Sequence, residues 1–345
     1  MALKDVIGQA GALDVLKSAL ESGNVASSWL FQGLSGTGKR FAAINFAKAL
    51  NCNAAHEEAG FFSGAEKTSG TGKDACDNCA SCKRIDSGIH PDVTLIGPEK
   101  GVIKIEEIRN LEEKLSLRAF EGRFKVAVID DAHQMKAEAA NAFLKCLEEP
   151  PEGSVIILVS SNPERLPDTI RSRCIKVNFR PLGERDMEFF LPGARCPDAS
   201  VRKALARLAM GRPGLVMGKS GEALKERDAF LKSLSAMLSG PGTPTWADRQ
   251  DIEEFLDRLG LFLRDMLVMK ITGNGELLLN FDMPEKIEAF GKYADAEGII
   301  DCYGKITALK GSLVYNPNKA ILWNYMAGVL KKKLKMKVQS TGKNA

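Results

Sequence analysis

Gly33-Leu34-Ser35-Gly36-Thr37-Gly38-Lys39-Arg40 is the segment of this chain best suited to chemistry. Glycines at this spacing let backbone N–H groups close around phosphates, and the lysine reaches the terminal phosphate oxygens. Gly33, Gly36, Thr37, Gly38 and Lys39 are therefore candidate phosphate contacts. The next position normally carries a Ser or Thr whose hydroxyl holds a cation, and here it is Arg40. A guanidinium cannot ligate a metal ion, although it is able to pair with phosphates directly. The loop is therefore expected to bind ATP or ADP weakly, with metal-dependent hydrolysis suppressed by Arg40.

Asp130 and Asp131 close the apolar run Lys125-Val126-Ala127-Val128-Ile129. In a nucleotide-hydrolysing site, the first acid there holds the metal and a following Glu orients the attacking water. Asp131 is one methylene shorter than Glu, and misplacement by about 1 Å can cost roughly 10²-fold in rate. Further on, Leu166-Pro167-Asp168-Thr169-Ile170-Arg171 reads as a short helix that holds Ser172-Arg173-Cys174 at a sheet edge. The Arg173 guanidinium is a rigid fork matched to phosphate oxygens, and equally an ordinary ion-pair partner.

Cys76, Cys79 and Cys82 place three thiols within seven residues. With Cys52, which ends the helix after the phosphate loop, they make a set suited to tetrahedral Zn²⁺. His56 competes with Cys52 for the fourth place, while His90 and His133 read as ordinary polar residues. No open coordination position is suggested, so the expected zinc is structural. It ties down a module of about 52–92 that is too small to hold a core alone.

The elements that must position these groups alternate in the rhythm of an α/β fold with a doubly wound parallel sheet. Strands are predicted at 29–31, 93–96, 125–129, 155–159 and 174–177, each an apolar run of buried-strand length. Helices are predicted at about 9–22, 39–50, 104–117 and 136–148, the last stopped by Pro150-Pro151. Beyond 180 the pattern is helical, with short elements to 221 and longer ones at 222–239, 246–272, 284–310 and 318–335. Ser239–Pro244 reads as a loop, Phe62–Ala75 as a mobile Gly/Ser-rich insertion and Gln339–Ala345 as a polar tail. The expected division is a nucleotide-binding domain over 1–180, a helical lid over 181–221, an all-helical domain over 222–336 and a disordered tail over 337–345.

The 345 residues suit two or three domains at about 150 each. No apolar run approaches the roughly 20 residues of a membrane span. Met1–Asp5 has no apolar core behind a basic start, so a cytoplasmic protein with reduced cysteines is expected. A net charge of +4 is too small to establish nucleic-acid binding. The basic stretch Lys331–Lys337 reads as a solvated helix end.

Taken together, the phosphate loop, the four cysteines, Val128–His133, Asn141–Pro151 and Ser172-Arg173-Cys174 resemble the bacterial clamp loader family of AAA+ proteins. The resemblance covers residues 1–220. Asn316-Pro317-Asn318-Lys319-Ala320 is similar to the family's helix start in a C-terminal collar domain. Two subunit types share this layout, a motor called gamma or tau and a companion that does not hydrolyse ATP. The motor keeps the loop Ser/Thr, an Asp-Glu pair and a lid arginine. Arg40, Asp131 and a glycine within Gly211-Arg212-Pro213-Gly214 stand there instead, which favours the companion. An active gamma/tau-type ATPase is the alternative, and a free-standing zinc-dependent nucleic-acid binder is a third class.

The resemblance implies a hetero-pentamer with gamma/tau and delta subunits that acts on a sliding clamp and primer-template DNA. It assigns Arg173 as an arginine finger offered to a neighbouring subunit's nucleotide. It places Arg109 and Lys145 toward DNA.

Overall fold

A computed structural model describes residues 1–54, 74–99, 101–191, 199–216, 220–239, 244, 246–247, 249–313 and 317–334. The chain divides into two compact units, Met1–Phe190 with Met210–Leu215, and Leu191–Ala209 with Val216–Ala345. The first unit is an α/β layer structure. Its strands are β1 (Ser28–Gln32), β2 (Val93–Ile96), β3 (Lys125–Ile129), β4 (Ser154–Ser160) and β5 (Ile175–Asn178). They pair in the order β2-β3-β4-β1-β5, and every pairing is parallel.

Parallel strands need crossover connections, and the helices supply them. The helices of this unit are α1 (Ala10–Ser22), α2 (Lys39–Leu50), α3 (Ala80–Asp86), α4 (Ile105–Ser116), α5 (Ala137–Glu148), α6 (Asp168–Arg171) and α7 (Glu184–Phe190), of which α2 to α6 lie between strands. On one face, Leu16, Leu20, Phe46 and Leu50 cover Trp29, Phe31, Val126, Val128 and Ile157. On the other, Ile108, Leu111 and Phe143 cover Leu30, Ala127, Ile129, Ile156 and Leu158. Coverage of both faces explains why β1, β3 and β4 read as continuous apolar runs and not as alternating ones.

The second unit is helical. It contains α8 (Ala199–Ala209), α9 (Ser220–Ser239), α10 (Arg249–Thr272), α11 (Pro284–Gly291), α12 (Ala296–Ser312) and α13 (Lys319–Lys333). Its core is aromatic, with Trp246 edge-on to Trp323 at 5.0 Å and to Phe255 at 5.4 Å. Asp265, fully buried in α10, accepts from the backbone N–H groups of Leu279 and Asn280 and from the Asn280 amide. The expected single helix over 284–310 is two. The helix is interrupted at 292–295, and Asp295 starts α12 by accepting the N–H of Gly298 at 2.7 Å. An apolar period continues across such a break, so periodicity alone hides it. Asn318 caps α13 through the N–H groups of Ala320 and Ile321, while Asn316 lies outside the described residues. Lys333 is not merely solvated, since it pairs with Asp301 at 2.6 Å. Lys335–Lys337, His56, the tail and most of 62–75 lie outside the described residues. Among those described, no helix is long and apolar enough to cross a membrane.

One buried acid fixes the approach to β3. The Asp92 carboxylate accepts the N–H groups of Phe120, Glu121 and Gly122 at 2.7–2.8 Å, with Lys125 3.7 Å away. Burial alone would raise its pKa. The three N–H donors and then the Lys125 charge outweigh that and hold it below the ordinary carboxylate range. A depressed pKa gives stability that is present above the unfolded value and lost as pH falls through the folded one. Asp92→Ala should therefore cost about 2–4 kcal/mol at neutral pH. Urea titrations should show the gap to the parent closing as the pH drops below about 4.

Candidate functional site

β1 ends at Gln32, and the phosphate loop turns directly into α2. The turn requires glycine. Gly33 has φ +148, and a Cβ there would stand 2.1 Å from the Phe179 carbonyl oxygen, so the loop can pass β5 only without a side chain. Gly36 receives a hydrogen bond at its carbonyl from the Gly214 N–H at 2.9 Å, which seats the loop against the turn at 212–215. Gln9 pins the other side. Its amide donates to the Arg180 carbonyl at 2.6 Å and accepts the Arg180 N–H at 3.0 Å, with a longer contact to the Thr37 carbonyl at 3.5 Å. The Thr37 hydroxyl is turned inward onto the Leu34 carbonyl at 2.8 Å.

Lys39 is buried, with its ammonium on the Leu34 carbonyl at 2.7 Å. Burial drives its pKa down to about 8 against the opposing pull of Asp131 and Asp130. Asp130 and Asp131 follow β3 as the spacing predicts. Asp131 is in the left-handed region, with φ 44 and ψ 45, and its N–H donates to the Asp130 carboxylate at 3.1 Å. Burial and the Asp131 charge raise the pKa of Asp130, and Arg40 opposes them. The Arg40 guanidinium lies 3.5 Å from the Asp130 carboxylate. The residue that disrupts the loop motif is thus paired with the acid that would hold a metal.

Sequence reasoning missed the groups behind this edge. Ser160, the last residue of β4, shares a 3.3 Å hydrogen bond with Nδ1 of His133, and Ser161 reaches Nε2 at 3.5 Å. His133, expected as an ordinary polar residue, is buried in this contact beside the acids. Burial lowers its pKa, with Asp131 pulling the other way. Gln9, Ser160 and His133 carry no local pattern, because their partners lie 27 to 171 residues away.

Arg173 projects from the turn after α6 with its side chain 36% exposed. One guanidinium nitrogen donates to the Thr169 carbonyl at 2.8 Å and another to Glu148, the last residue of α5, at 2.7 Å. The same helix carries exposed Lys145, and exposed Arg109 lies on α4. Glu112 has its pKa raised by burial and lowered by both these charges, so Arg109 and Lys145 flank one acid.

The cysteine cluster is a separate site. The sulfurs of Cys52, Cys76, Cys79 and Cys82 all lie within 4.8 Å of one another, and none is in a disulfide. Zinc–thiolate bonds of about 2.3 Å put sulfurs roughly 3.8 Å apart, a small contraction of this set. Backbone N–H groups of Cys76, Cys79 and Cys82 donate to the sulfurs of Cys52, Cys76 and Cys79 at 3.3–3.4 Å. Such donors favour thiolates. Burial would raise the pKa of Cys79, but the Cys82 N–H and further hydrogen bonds bring it to about 6, whereas Cys82 is pushed up by burial and by Cys79. Four convergent thiols with thiolate-stabilising donors fit a structural metal ion of the zinc kind. Bound there, the metal would cross-link the end of α2 to α3. Cys146, Cys174 and Cys302 are buried elsewhere, with pKa values raised by burial to about 11, 12 and 11.

The cluster is fastened to the sheet domain by polar pins. Lys48, fully buried on α2, donates to Asp77 at 2.5 Å, to Asp86 at 2.8 Å and to the Met1 carbonyl at 2.7 Å. The Ser81 hydroxyl donates to the Asn51 carbonyl at 2.6 Å and meets Nε2 of buried His90 at 3.1 Å. His90, expected as an ordinary polar residue, is therefore part of the module's anchorage.

An all-parallel sheet with a glycine-rich, lysine-bearing loop after the inner strand β1 and paired acids at the same edge defines a P-loop nucleotide fold of the AAA+ clamp-loader kind. The family model described as DNA polymerase III, delta subunit, matches residues 8–183, and the chain belongs to that family. It is 28% identical to the DNA polymerase III subunit delta′ of Bacillus subtilis over 337 residues, covering 93% of this chain and 96% of the relative. It is 36% identical to the subunit tau of the same organism over 248 residues, covering 66% of this chain and 40% of that one. A gamma subunit-related protein of Thermotoga maritima, of known structure, is 15% identical at a TM-score of 0.45, covering 93% of this chain and 99% of its own. The chain is a delta-prime-like clamp-loader subunit, a component of a multi-subunit DNA-replication complex, and its relatives do not favour an active ATPase.

The choice of fourth ligand is directly testable. Cobalt-substituted protein should show the thiolate charge-transfer band of a four-cysteine site. Cys52→Ser should change that band and release metal, and His56→Ala should do neither. Metal analysis on the same samples would reject the assignment if His56→Ala emptied the site.

Proposed function

We propose that this protein is a non-hydrolysing subunit of a pentameric loader that opens a ring-shaped clamp and sets it on primer-template DNA. In this reading it assembles with gamma/tau and delta subunits. The observation that carries it is the Arg40–Asp130 pair, which puts a protein cation where a hydrolysing site needs a metal. The degenerate nucleotide site comprises Gly33, Gly36, Thr37, Gly38, Lys39, Arg40, Asp130 and Asp131. Residues 1–180 form the nucleotide-binding domain, 181–221 a lid and 222–336 a collar that joins the subunits.

The chemical contribution of the protein is Arg173. An arginine supplied in trans stabilises charge on a transferring phosphoryl group and is worth about 10³–10⁵ in rate. The guanidinium is half-organised for this task. Thr169 orients one nitrogen, while Glu148 occupies another that phosphate oxygens would take over on assembly. Exchange of carboxylate for phosphate retains the charge-assisted character of the bond. Arg109 and Lys145 are assigned to the phosphate backbone of DNA, a sequence-independent contact.

Arg173→Ala should leave the chain folded and able to assemble, yet lower ATP turnover of the complete loader by about 10³-fold at its interface. Unchanged turnover would remove Arg173 from the mechanism. Brisk hydrolysis by the isolated chain would instead support a motor. For DNA, Arg109→Ala and Lys145→Ala should each weaken binding of the assembled loader on any sequence. Each should also reduce the salt dependence by about one phosphate contact. Fluorescence anisotropy across a salt series measures both quantities.

A further inference from the structure

A metal ion at this site would have to share Asp130 with a guanidinium. Mg²⁺ requires about six oxygen ligands at 2.0–2.1 Å. The neighbouring position that should supply a hydroxyl supplies Arg40, which has no oxygen and lies 3.5 Å from the Asp130 carboxylate. The residues present therefore do not fit a magnesium ion.

They do fit a polyphosphate. Arg40 is in the first turn of α2, directly after Lys39, where helix N–H groups face an anion. Its guanidinium has five N–H donors in a planar fork, and the Asp130 contact involves one of the terminal nitrogens. Its side chain is 57% exposed, so the remaining edge is accessible. Gly38, with φ +92, has no atom within 4 Å of where a side chain would stand, which leaves the loop open beside Lys39 and Arg40. The arrangement joins carboxylate, cation and anion site in the order a metal would, with a covalently attached cation in the middle.

We propose that Arg40 is the resident cation of this loop, so that a nucleoside di- or triphosphate binds through the loop amides, Lys39 and Arg40 without a divalent metal. The proposal rests on the degenerate nucleotide site described above and is independent of Arg173. It concerns binding only, with no bond made or broken.

The test is calorimetric titration of the full chain with ADP and with ATP, in magnesium-containing buffer and in buffer freed of magnesium on a chelating resin, which leaves the cysteine site loaded. The parent should bind with dissociation constants that agree within about threefold between the two buffers. Arg40→Thr should bind at least about tenfold more weakly without magnesium and recover when it is added. Arg40→Lys should keep metal-free binding. The parent comparison needs no variant, so a folding defect in Arg40→Thr would not remove the test. Parent binding that falls about tenfold when magnesium is withdrawn overturns the proposal. So does an absence of binding in both buffers, or an Arg40→Thr protein that still binds as the parent does without magnesium. These titrations read nucleotide binding by the isolated chain, whereas the trans-acting arginine is read by turnover of the assembled loader, so failure of one is distinguishable from failure of the other.

Discussion

The parallel register of β1, β3 and β4 is the constraint on which the rest of the site depends. Gln32 pairs with Ser160, and Ile129 pairs with Leu158, so the chain leaves three neighbouring strands at one edge. The phosphate loop, Asp130 and the Ser160–His133 pair are the residues that emerge there. A one-residue slip would exchange the two faces of a strand, exposing Phe31 and Trp29 to the layer that now receives Leu30. Packing on both faces therefore specifies the position of the polar groups at the edge. The apolar core and the candidate chemistry are two results of one register.

Much of this was legible because burial on both faces of a parallel sheet writes itself as unbroken apolar runs. The strand at 125–129 and the helices at 39–50 and 137–148 were readable in that way, as was the cysteine spacing. Long-range polar pins were not. Gln9 meets Arg180 across 171 positions, and Asn51 accepts the N–H groups of Arg123 and Phe124 more than 70 positions away. Nothing beside either residue marks it, since one polar side chain in a loop looks the same whether it is solvated or doubly bonded. The buried hydrogen bonds of His90 and His133 carry no local mark for the same reason. The break between α11 and α12 was hidden because both helices present apolar residues to the same core.

The cysteine module illustrates how a small insertion is held by a larger fold. Its own apolar cluster consists of Ala2, Cys52, Ala75 and Cys82, with few neighbours around them, far short of an independent core. Lys48 compensates from inside α2 by binding Asp77, Asp86 and the first carbonyl of the chain. The N-terminal ammonium also reaches Asp77 at 2.9 Å, and Asp74 accepts the N–H groups of Leu3 and Lys4. A buried lysine without those acids would be strongly unfavourable, so the charges and the thiols make sense only together. The cysteine site and residues 1–4 are consequently one structural unit.

Arg40 shows why a loop can lose its metal seat and retain its shape. Asp130 and Asp131 are adjacent acids at a partly buried edge, and burial together with mutual repulsion raises the pKa of Asp130. In a hydrolysing enzyme, a divalent ion relieves that repulsion only when nucleotide brings it. Here a guanidinium on the facing helix relieves it at all times, and Lys39 adds a second positive charge nearby. The substitution that removes a hydroxyl ligand therefore also removes the need for a metal to stabilise the acids. The charge balance at this edge is therefore set by side chains of the protein itself, Arg40 and Lys39 against Asp130 and Asp131.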